Sequence, residues 1–179
     1  MSEKLLEVKH LHTSFFTHLG EVKAIRDVSF HVDKSEIIGI VGESGSGKSV
    51  TSLSVMGLLA HPGKVTGGEI LFKGEDLLKK SKHDMRKIQG NQISMIFQDP
   101  MTSLNPLFTI GNQITEAIRT HQKLSREEAN KKAVEMLKLV GIPSPEKRVK
   151  SFPHEFSGGM RQRAMIAMAL SSEPDLLIA

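Results

Sequence analysis

The first part of the chain alternates short apolar segments with polar turns. Segments 5–16 and 24–32 are rich in β-branched and apolar residues with partial alternation, and a turn at 18–21 joins them. This pattern predicts two strands that form an antiparallel β region at the N-terminus.

Further apolar segments are too short to be helices. Segments 69–72 and 93–97 predict single strands, and segment 37–41 is apolar throughout, which is typical of a strand buried in a parallel sheet. Residues 48–59 contain no proline and place apolar side chains at helical spacing. A strand at 37–41 that leads through a loop into a helix predicts an α/β core.

The second half of the chain has the pattern of helices. After a turn-rich segment at 99–108, Ser125 and Glu128 have the spacing of a capping box, and apolar residues follow on one helical face. Gly141 stands at the stop position of this helix. We therefore expect a small helical insertion between two parts of the core.

A glycine-rich loop lies between the strand and the helix predicted for the core. Gly42-x-x-x-x-Gly47-Lys48-Ser49 is the complete phosphate-binding loop pattern. In such a loop the backbone N–H groups and the helix N-terminus bind the β-phosphate, and the lysine reaches the β and γ oxygens. The pattern predicts nucleotide binding with Mg²⁺ as cofactor, with Lys48 as a candidate catalytic residue and Ser49 as a candidate metal ligand. The expected nucleotide-binding residues are Gly42, Glu43, Ser44, Gly45, Ser46, Gly47, Lys48, Ser49 and Val50.

A second glycine motif begins another predicted helix. Ser157, Gly158 and Gly159 precede a helical segment that continues to Leu170, and a helix start leaves N–H groups that can bind an anion. The motif alone is weak, because serine and glycine begin many helices. Together with the phosphate loop it indicates a second phosphate contact.

The composition narrows the class of protein. With 39% hydrophobic and 25% charged residues, the 179 residues are ordinary for a soluble globular domain with a small subdomain. The lack of cysteine excludes disulfides and thiolate metal sites in this sequence. The net charge of +4 is scattered, and Trp and Tyr are absent, which favours solvated surface charge over nucleic-acid binding. No apolar run approaches the roughly 20 residues that span a bilayer, so a cytosolic protein is expected.

The motifs resemble a known family when they are taken together. GESGSGKS, the glutamine in IFQDP, and FSGGMRQR followed by PDLLIA resemble the nucleotide-binding subunit of an ATP-binding cassette (ABC) transporter, in order and over nearly the whole chain. The strings QDPMTSLNPLFTIGNQI and FPHEFSGGMRQR are most similar to ATPases of bacterial oligopeptide and dipeptide importers, with nickel importers close behind.

The resemblance implies a fold and a domain organisation. The fold is α/β, a P-loop NTPase core with an N-terminal antiparallel β region and a helical ABC-specific subdomain. Residues 1–98 would form the core with the phosphate loop, 99–156 the helical subdomain, and 157–179 the signature helix with the start of the next core strand.

The resemblance also implies residue roles. Gln98 would be the catalytic Q-loop residue, which meets Mg²⁺ and the attacking water and links the site to the membrane subunits. Phe15, with Phe16 as the alternative, would stack on adenine. The signature loop at 157–159 would contact the γ-phosphate of an ATP bound to a partner subunit.

The chain departs from the family pattern in two places. Phe156 and Met160 replace the first and last residues of the usual signature Leu-Ser-Gly-Gly-Gln, which removes a side-chain amide contact at position 160. Segment 176–179 resembles the strand that runs into the magnesium-binding aspartate and the water-activating glutamate, and the sequence ends at Ala179. We therefore expect a C-terminally incomplete cassette that alone hydrolyses ATP slowly or not at all.

The implied function is that of a peripheral subunit at the cytoplasmic face of the cell membrane, where it couples ATP binding and hydrolysis to uptake of oligopeptides or dipeptides. The implied partners are a second, preferably different, ABC ATPase subunit, two membrane-spanning permease subunits and, indirectly, an extracytoplasmic substrate-binding protein; nucleic acid is not expected.

Two alternatives to this function stay open. One is a soluble ABC-type ATPase that acts on nucleic acid or ribosomes, and the other is a truncated protein that binds nucleotide without hydrolysing it.

Overall fold

The computed structural model describes residues 3–99 and 103–179. The chain forms two compact units, Met1–Met85 and Arg86–Ala179. Residues 100–102 of the turn-rich segment at 99–108 lie outside the described residues. Over the described ranges, every helix is too short or too polar to span a lipid bilayer.

The first unit is built on an antiparallel sheet. Its strands are Lys4–Thr17 (β1), Gly20–Asp33 (β2), Gly63–Phe72 (β3) and Glu75–Asp76 (β4). Their order across the sheet is β2-β1-β3-β4. The paired strands β1 and β2 confirm the predicted N-terminal β region, and β3 begins six residues before the predicted strand at 69–72, since Gly63 already pairs with Phe15.

Helix α1 packs on this sheet through a mixed apolar and polar contact. It runs over Lys48–Met56, three residues shorter than predicted, because Gly57 adopts a left-handed conformation (φ 64°) and ends the helix. Thr13 of β1 and Ser54 of α1 are both buried, and their hydroxyls lie 3.0 Å apart in a hydrogen bond. This pair satisfies two buried polar groups where helix and sheet meet.

The prediction of a strand at 37–41 is wrong for this structure. The segment has no hydrogen-bonded neighbour strand among the described residues, and Ile37 and Val41 are 98% and 92% exposed. A strand of a parallel sheet needs ladder partners and a covered face. The apolar pattern indicated burial, but the described residues do not supply the partners.

The second unit contains a short parallel strand pair and several helices. Strand β5 (Ile93–Met95) pairs in parallel with β6 (Leu176–Ile178). The predicted strand at 93–97 is thus two residues shorter. A 3-10 turn at Leu77–Lys79 and helix α2 (Lys82–Ile88), neither of them predicted, connect the first unit to the second.

The predicted helical region folds around one apolar cluster. Its helices are α3 (Ile110–His121), α4 (Arg126–Leu139), α5 (Pro145–Arg148) and α6 (Gly158–Leu170), with a 3-10 turn at Pro153–Glu155. The buried cluster consists of Leu104, Ile110, Ile114, Ile118, Ala129, Ala133, Leu137, Ile142, Phe156, Ala164 and Ala167. The alanines of α4 and α6 bring these helix backbones close together.

The predicted signals at the ends of α4 are confirmed. The Ser125 N–H donates to Glu128 Oε2 at 2.8 Å, and the Glu128 N–H donates to Ser125 Oγ at 3.2 Å, which completes the capping box. Gly141 follows the helix with φ 73°, the conformation that glycine adopts most readily at this position.

Candidate nucleotide-binding site

The phosphate loop enters helix α1 through a glycine whose backbone conformation and close neighbours both disfavour a side chain. Gly47 is the N-cap residue of α1, with φ 92°. A Cβ atom at this position would lie 2.6 Å from Ile25 Cδ1 and 3.0 Å from the Ala24 carbonyl oxygen. Strand β2 therefore lies against the loop at this turn and leaves little room for a side chain there.

Lys48 folds back over the loop that precedes it. Its Nζ donates to the carbonyl oxygens of Gly42 and Glu43, at 2.7 Å each, and lies 3.4 Å from Ser46 Oγ. The main chain thus holds the ammonium group against the glycine loop. A cation fixed by backbone carbonyls in this way can bind phosphate oxygens that approach the same loop.

The start of helix α1 is suited to bind an anion. Within the described structure no side-chain hydrogen bond caps its N-terminus, and its first turn has no acidic residue. The first turn contains Ser49, whose hydroxyl is exposed, and Val50, which is half-buried. Free N–H groups and a helix dipole without a competing carboxylate favour a bound phosphate.

Phe15 lies on β1 beside the strand pair that supports the loop. It pairs with Val22 and Gly63, and its ring packs so closely that a Cβ on Gly63 would lie 2.8 Å from Phe15 Cε1. Thr13, two residues or about 7 Å earlier on the strand, pairs with the Ile25 that contacts Gly47. Phe15 is half-buried on this strand, whereas Phe16 is 47% exposed.

Gln98 lies in the second unit, just beyond the carboxyl end of β5. The Ile96 N–H donates to the Ile178 carbonyl at 2.8 Å, so β5 and β6 remain paired up to this edge. Gln98 is exposed in the bend that follows. Ligands of parallel α/β sheets bind at the carboxyl ends of the strands, which is the edge where Gln98 and Ala179 both lie.

The signature loop is a capped helix start with open space around it. Ser157 is the N-cap residue of α6, and its Oγ accepts a hydrogen bond from the Met160 N–H at 3.3 Å. A Cβ on Gly158 or on Gly159 would meet no atom within 4 Å in the described structure. The loop therefore presents bare backbone that an external group can approach closely.

The two departures from the usual signature have a packing explanation. Phe156 is buried in the helical cluster, and Met160 packs against the same cluster while partly exposed. Both side chains anchor the signature loop to the helical cluster. The position usually held by glutamine is thus an apolar contact here.

Two residues that sequence analysis missed hold the segment before the signature loop: Arg161 binds it from helix α6, and Glu155 binds within it. The Arg161 Nε donates to the Pro153 carbonyl at 2.8 Å, and Glu155 Oε2 accepts from the Phe152 N–H at 2.6 Å. The spacing Phe152-x-x-Glu155 is half of a capping-box pattern and was visible in the sequence. The arginine contact was not, because the sequence does not reveal which carbonyl a guanidinium will reach.

The phosphate loop and the family match together define the class of this protein. A glycine loop with a lysine at a helix start, within an α/β fold, is the arrangement of P-loop nucleotide-binding proteins. The ABC transporter family model matches residues 25–179. The chain therefore belongs to the ABC transporter family, and this membership implies that it binds a nucleotide.

Characterised relatives are similar over almost the whole chain. The oligopeptide transport ATP-binding protein OppD of Bacillus subtilis (strain 168) is 62% identical over 98% of this chain, which corresponds to 49% of OppD. The dipeptide transport ATP-binding protein DppD of the same organism is 58% identical over 99% of this chain and 53% of DppD. The chain thus spans about half the length of the curated relatives it matches.

A solved structure supports the fold assignment. The dimeric, post-hydrolysis structure of the ATP-binding cassette MJ0796 bound to ADP and Pi superposes with a TM-score of 0.85. The two chains are 26% identical, and the match covers 96% of this chain and 72% of MJ0796. The predicted α/β P-loop fold of the ABC type is confirmed.

Proposed function

We propose that the chain is the nucleotide-binding part of an ATPase subunit that couples ATP binding and hydrolysis to the uptake of oligopeptides or dipeptides. The observation that carries the proposal is the phosphate loop, in which Lys48 lies against the glycine loop beside the uncapped start of α1. The names of OppD and DppD support peptides as the transported class. They also favour transport over the alternative of an ATPase that acts on nucleic acid or ribosomes.

In this proposal the first unit binds one ATP molecule. The N–H groups of residues 43–48 and the Lys48 ammonium bind the β- and γ-phosphates, and the half-buried ring of Phe15 stacks on adenine.

Oxygen donors at both candidate metal positions fit Mg²⁺. Ser49 offers an exposed hydroxyl and Gln98 an exposed amide oxygen, and Mg²⁺ takes few protein ligands when phosphate oxygens supply the others. When bound, the ion would neutralise charge that develops on the phosphate oxygens. Gln98 would in addition orient the attacking water through its amide.

The signature loop serves the ATP of a second subunit in this proposal. Its exposed Ser157 hydroxyl and the open backbone at Gly158 and Gly159 suit a γ-phosphate that comes from outside the chain. The dimeric structure of the related cassette with ADP and Pi supports a pair of ATPase subunits. We expect a heterodimer with a paralogous ATPase.

The remaining partners would be two membrane-spanning permease subunits, with a substrate-binding protein acting indirectly outside the cell. We retain the division into a core (1–98), a helical subdomain (99–156) and the signature helix with the next strand (157–179), and propose that the helical subdomain docks the permease. Leu107 and Phe108, both exposed in this subdomain, support the assignment. The protein would then be peripheral at the cytoplasmic face of the membrane.

The test uses the protein as its native cell makes it, assembled with its partner ATPase and permease in lipid vesicles. We expect ATP-dependent peptide uptake, and Lys48→Ala should lower both hydrolysis and uptake by at least about tenfold, since the cation that stabilises the phosphoryl charge is lost. Lys131→Ala, which removes an exposed lysine that pairs with Glu127 on α4, is the control. Undiminished hydrolysis in Lys48→Ala, or hydrolysis without uptake in the wild type, would contradict the proposal.

A further inference from the structure

Helix α6 continues into strand β6 through a tight turn at residues 171–175. The Glu173 N–H donates to the Leu170 carbonyl at 2.9 Å, and Glu173 has φ 56°. A residue with a side chain adopts this left-handed conformation at a cost in free energy, and the conformation persists when surrounding contacts hold it. The contacts that hold this turn therefore determine how α6 leads into β6.

One lysine of helix α4 holds the turn. Lys132 Nζ donates to Glu173 Oε1 at 2.7 Å and to Gln122 Oε1 at 3.3 Å. Gln122, which follows the end of α3, donates through its Nε2 to the Ser171 carbonyl at 3.4 Å. Lys132 thus reaches the turn twice, directly at Glu173 and through the Gln122 amide at Ser171.

The burial of Lys132 distinguishes this contact from an ordinary surface ion pair. The side chain of Lys132 is 19% exposed, whereas that of Lys131 beside it is 71% exposed and pairs with Glu127 on the same helix. Water screens exposed pairs, so they contribute little to stability. A mostly buried ammonium group, in contrast, needs its acceptors. The hydrogen bond from Lys132 also holds the pKa of the Glu173 carboxyl below its usual range.

The turn is joined to the strand pair that leads to Gln98. The Asp175 and Leu176 N–H groups both donate to the Gln92 carbonyl, at 2.9 Å and 3.1 Å, where β5 and β6 begin to pair. Each strand is three residues long, so about 10 Å of strand separates the turn from the carboxyl edge. A shift of the turn would therefore move this short strand pair and the edge where Gln98 lies.

We propose that Lys132 is a positioning residue for ATP hydrolysis, which fixes the turn at 171–175 and thereby the carboxyl edge of the strand pair β5-β6. The inference rests on the proposed function, in which Gln98 at this edge orients the attacking water. The turn also joins the signature helix α6 to β6, so Lys132 links the signature loop to the same edge. Because Lys132 lies outside the phosphate loop, we expect it to affect kcat and not the affinity for ATP.

The experiment measures kcat, KM and the dissociation constant of a non-hydrolysable ATP analogue for the complete ATPase, assembled with its partner subunits in lipid nanodiscs. Lys132→Met removes the ammonium and keeps most of the apolar stem. We expect kcat to fall about tenfold, because a small misplacement of the reacting groups is costly, while the dissociation constant stays within about twofold. Lys132→Arg keeps a charged donor and should restore kcat to within about threefold of the wild type.

Two further variants separate the contact with Glu173 from a general effect on the fold. Lys131→Met, the same substitution at the exposed neighbour, is the matched control and should hydrolyse ATP as the wild type does. Glu173→Ala removes a carboxylate that is itself 76% exposed, and it should lower kcat by a factor similar to that of Lys132→Met. If the two residues act through one contact, the kcat of the double variant should lie within about twofold of that of Lys132→Met alone.

Several outcomes would overturn the inference. They are wild-type kcat in Lys132→Met or in Glu173→Ala, losses that multiply in the double variant, no recovery in Lys132→Arg, and a loss of ATP affinity that equals the loss of kcat. A wild type that hydrolyses no ATP would refute the proposed function as well.

Discussion

At the start of α1, the backbone conformation of one residue decides whether the phosphate loop can form. Gly47 has φ 92° and faces Ile25 and the Ala24 carbonyl, whereas Gly45 has φ 82° and open space around it. The sequence motif predicted that a glycine belongs at position 47. It did not reveal that the neighbouring hairpin also crowds this position, because contacts between distant segments are not encoded in local spacing.

The comparison of these two glycines yields a prediction. Gly47→Ala should lower the free energy of unfolding by about 2–4 kcal/mol, because it combines a left-handed alanine with a clash. Gly45→Ala should cost only about 1–2 kcal/mol, since backbone strain acts alone. Chemical denaturation of both variants measures the difference, and equal losses would show that the contact with Ile25 does not restrict position 47.

At the scale of single elements, the capping box of α4 was fully predictable, because its signal lies within four residues. Ser125→Ala should reduce the free energy of unfolding by about 1 kcal/mol at neutral pH. Circular dichroism during urea denaturation measures this change. A loss below about 0.3 kcal/mol would mean that solvent replaces the serine hydroxyl at no cost.

The same element predicts a dependence on pH. Hydrogen bonds from the Ser125 side chain and then from its backbone N–H hold the pKa of Glu128 below its usual range. A carboxyl with a lowered folded-state pKa stabilises the protein above its unfolded pKa, and this contribution disappears as the pH falls through the lowered value. The deficit of Ser125→Ala should therefore shrink between pH 7 and pH 3 in denaturation experiments; a constant deficit would contradict the coupling.

Helices α4 and α6 contribute buried alanines to one apolar cluster. The helical periodicity of the sequence marked an apolar face but did not show which helices would meet there. Ala133 on α4 and Ala164 on α6 are both fully buried in the cluster that also contains Phe156. Ala164→Leu should destabilise the protein by about 1–3 kcal/mol, because the added volume forces the helices apart. Ala169→Leu, on the partly exposed side of α6, is the control in thermal denaturation, and equal effects would show that the helices do not pack through Ala164.

The wrong strand at 37–41 shows where element prediction fails. Its apolar residues indicated a segment suited to burial. Whether such a segment becomes a strand depends on partner strands from other parts of the chain, and none of the described residues pairs with it. The hairpin of β1 and β2 was predictable because its partner strand is adjacent.

At the scale of the whole molecule, the order of the motifs along the chain indicated the family better than any single motif did. The phosphate loop, Gln98 and the signature loop are far apart in sequence, yet their order was enough to predict the family that the match over residues 25–179 confirms. The hydrogen bonds of the Gln113 side chain to the main chain of Asn105 and Phe108 were not predictable, because an amide can bind many backbone groups and only the folded chain shows which. Local spacing thus predicted the motifs, while the contacts that hold them required the structure.

The most direct test of the account is a calorimetric titration of MgATP into the protein and into Lys48→Ala. We expect binding by the wild type and by the control Lys131→Ala, and an affinity at least about tenfold lower in Lys48→Ala, because the ammonium at the glycine loop is lost. Equal affinities of the wild type and Lys48→Ala, or no binding by the wild type, would contradict the claim that this loop is the nucleotide site.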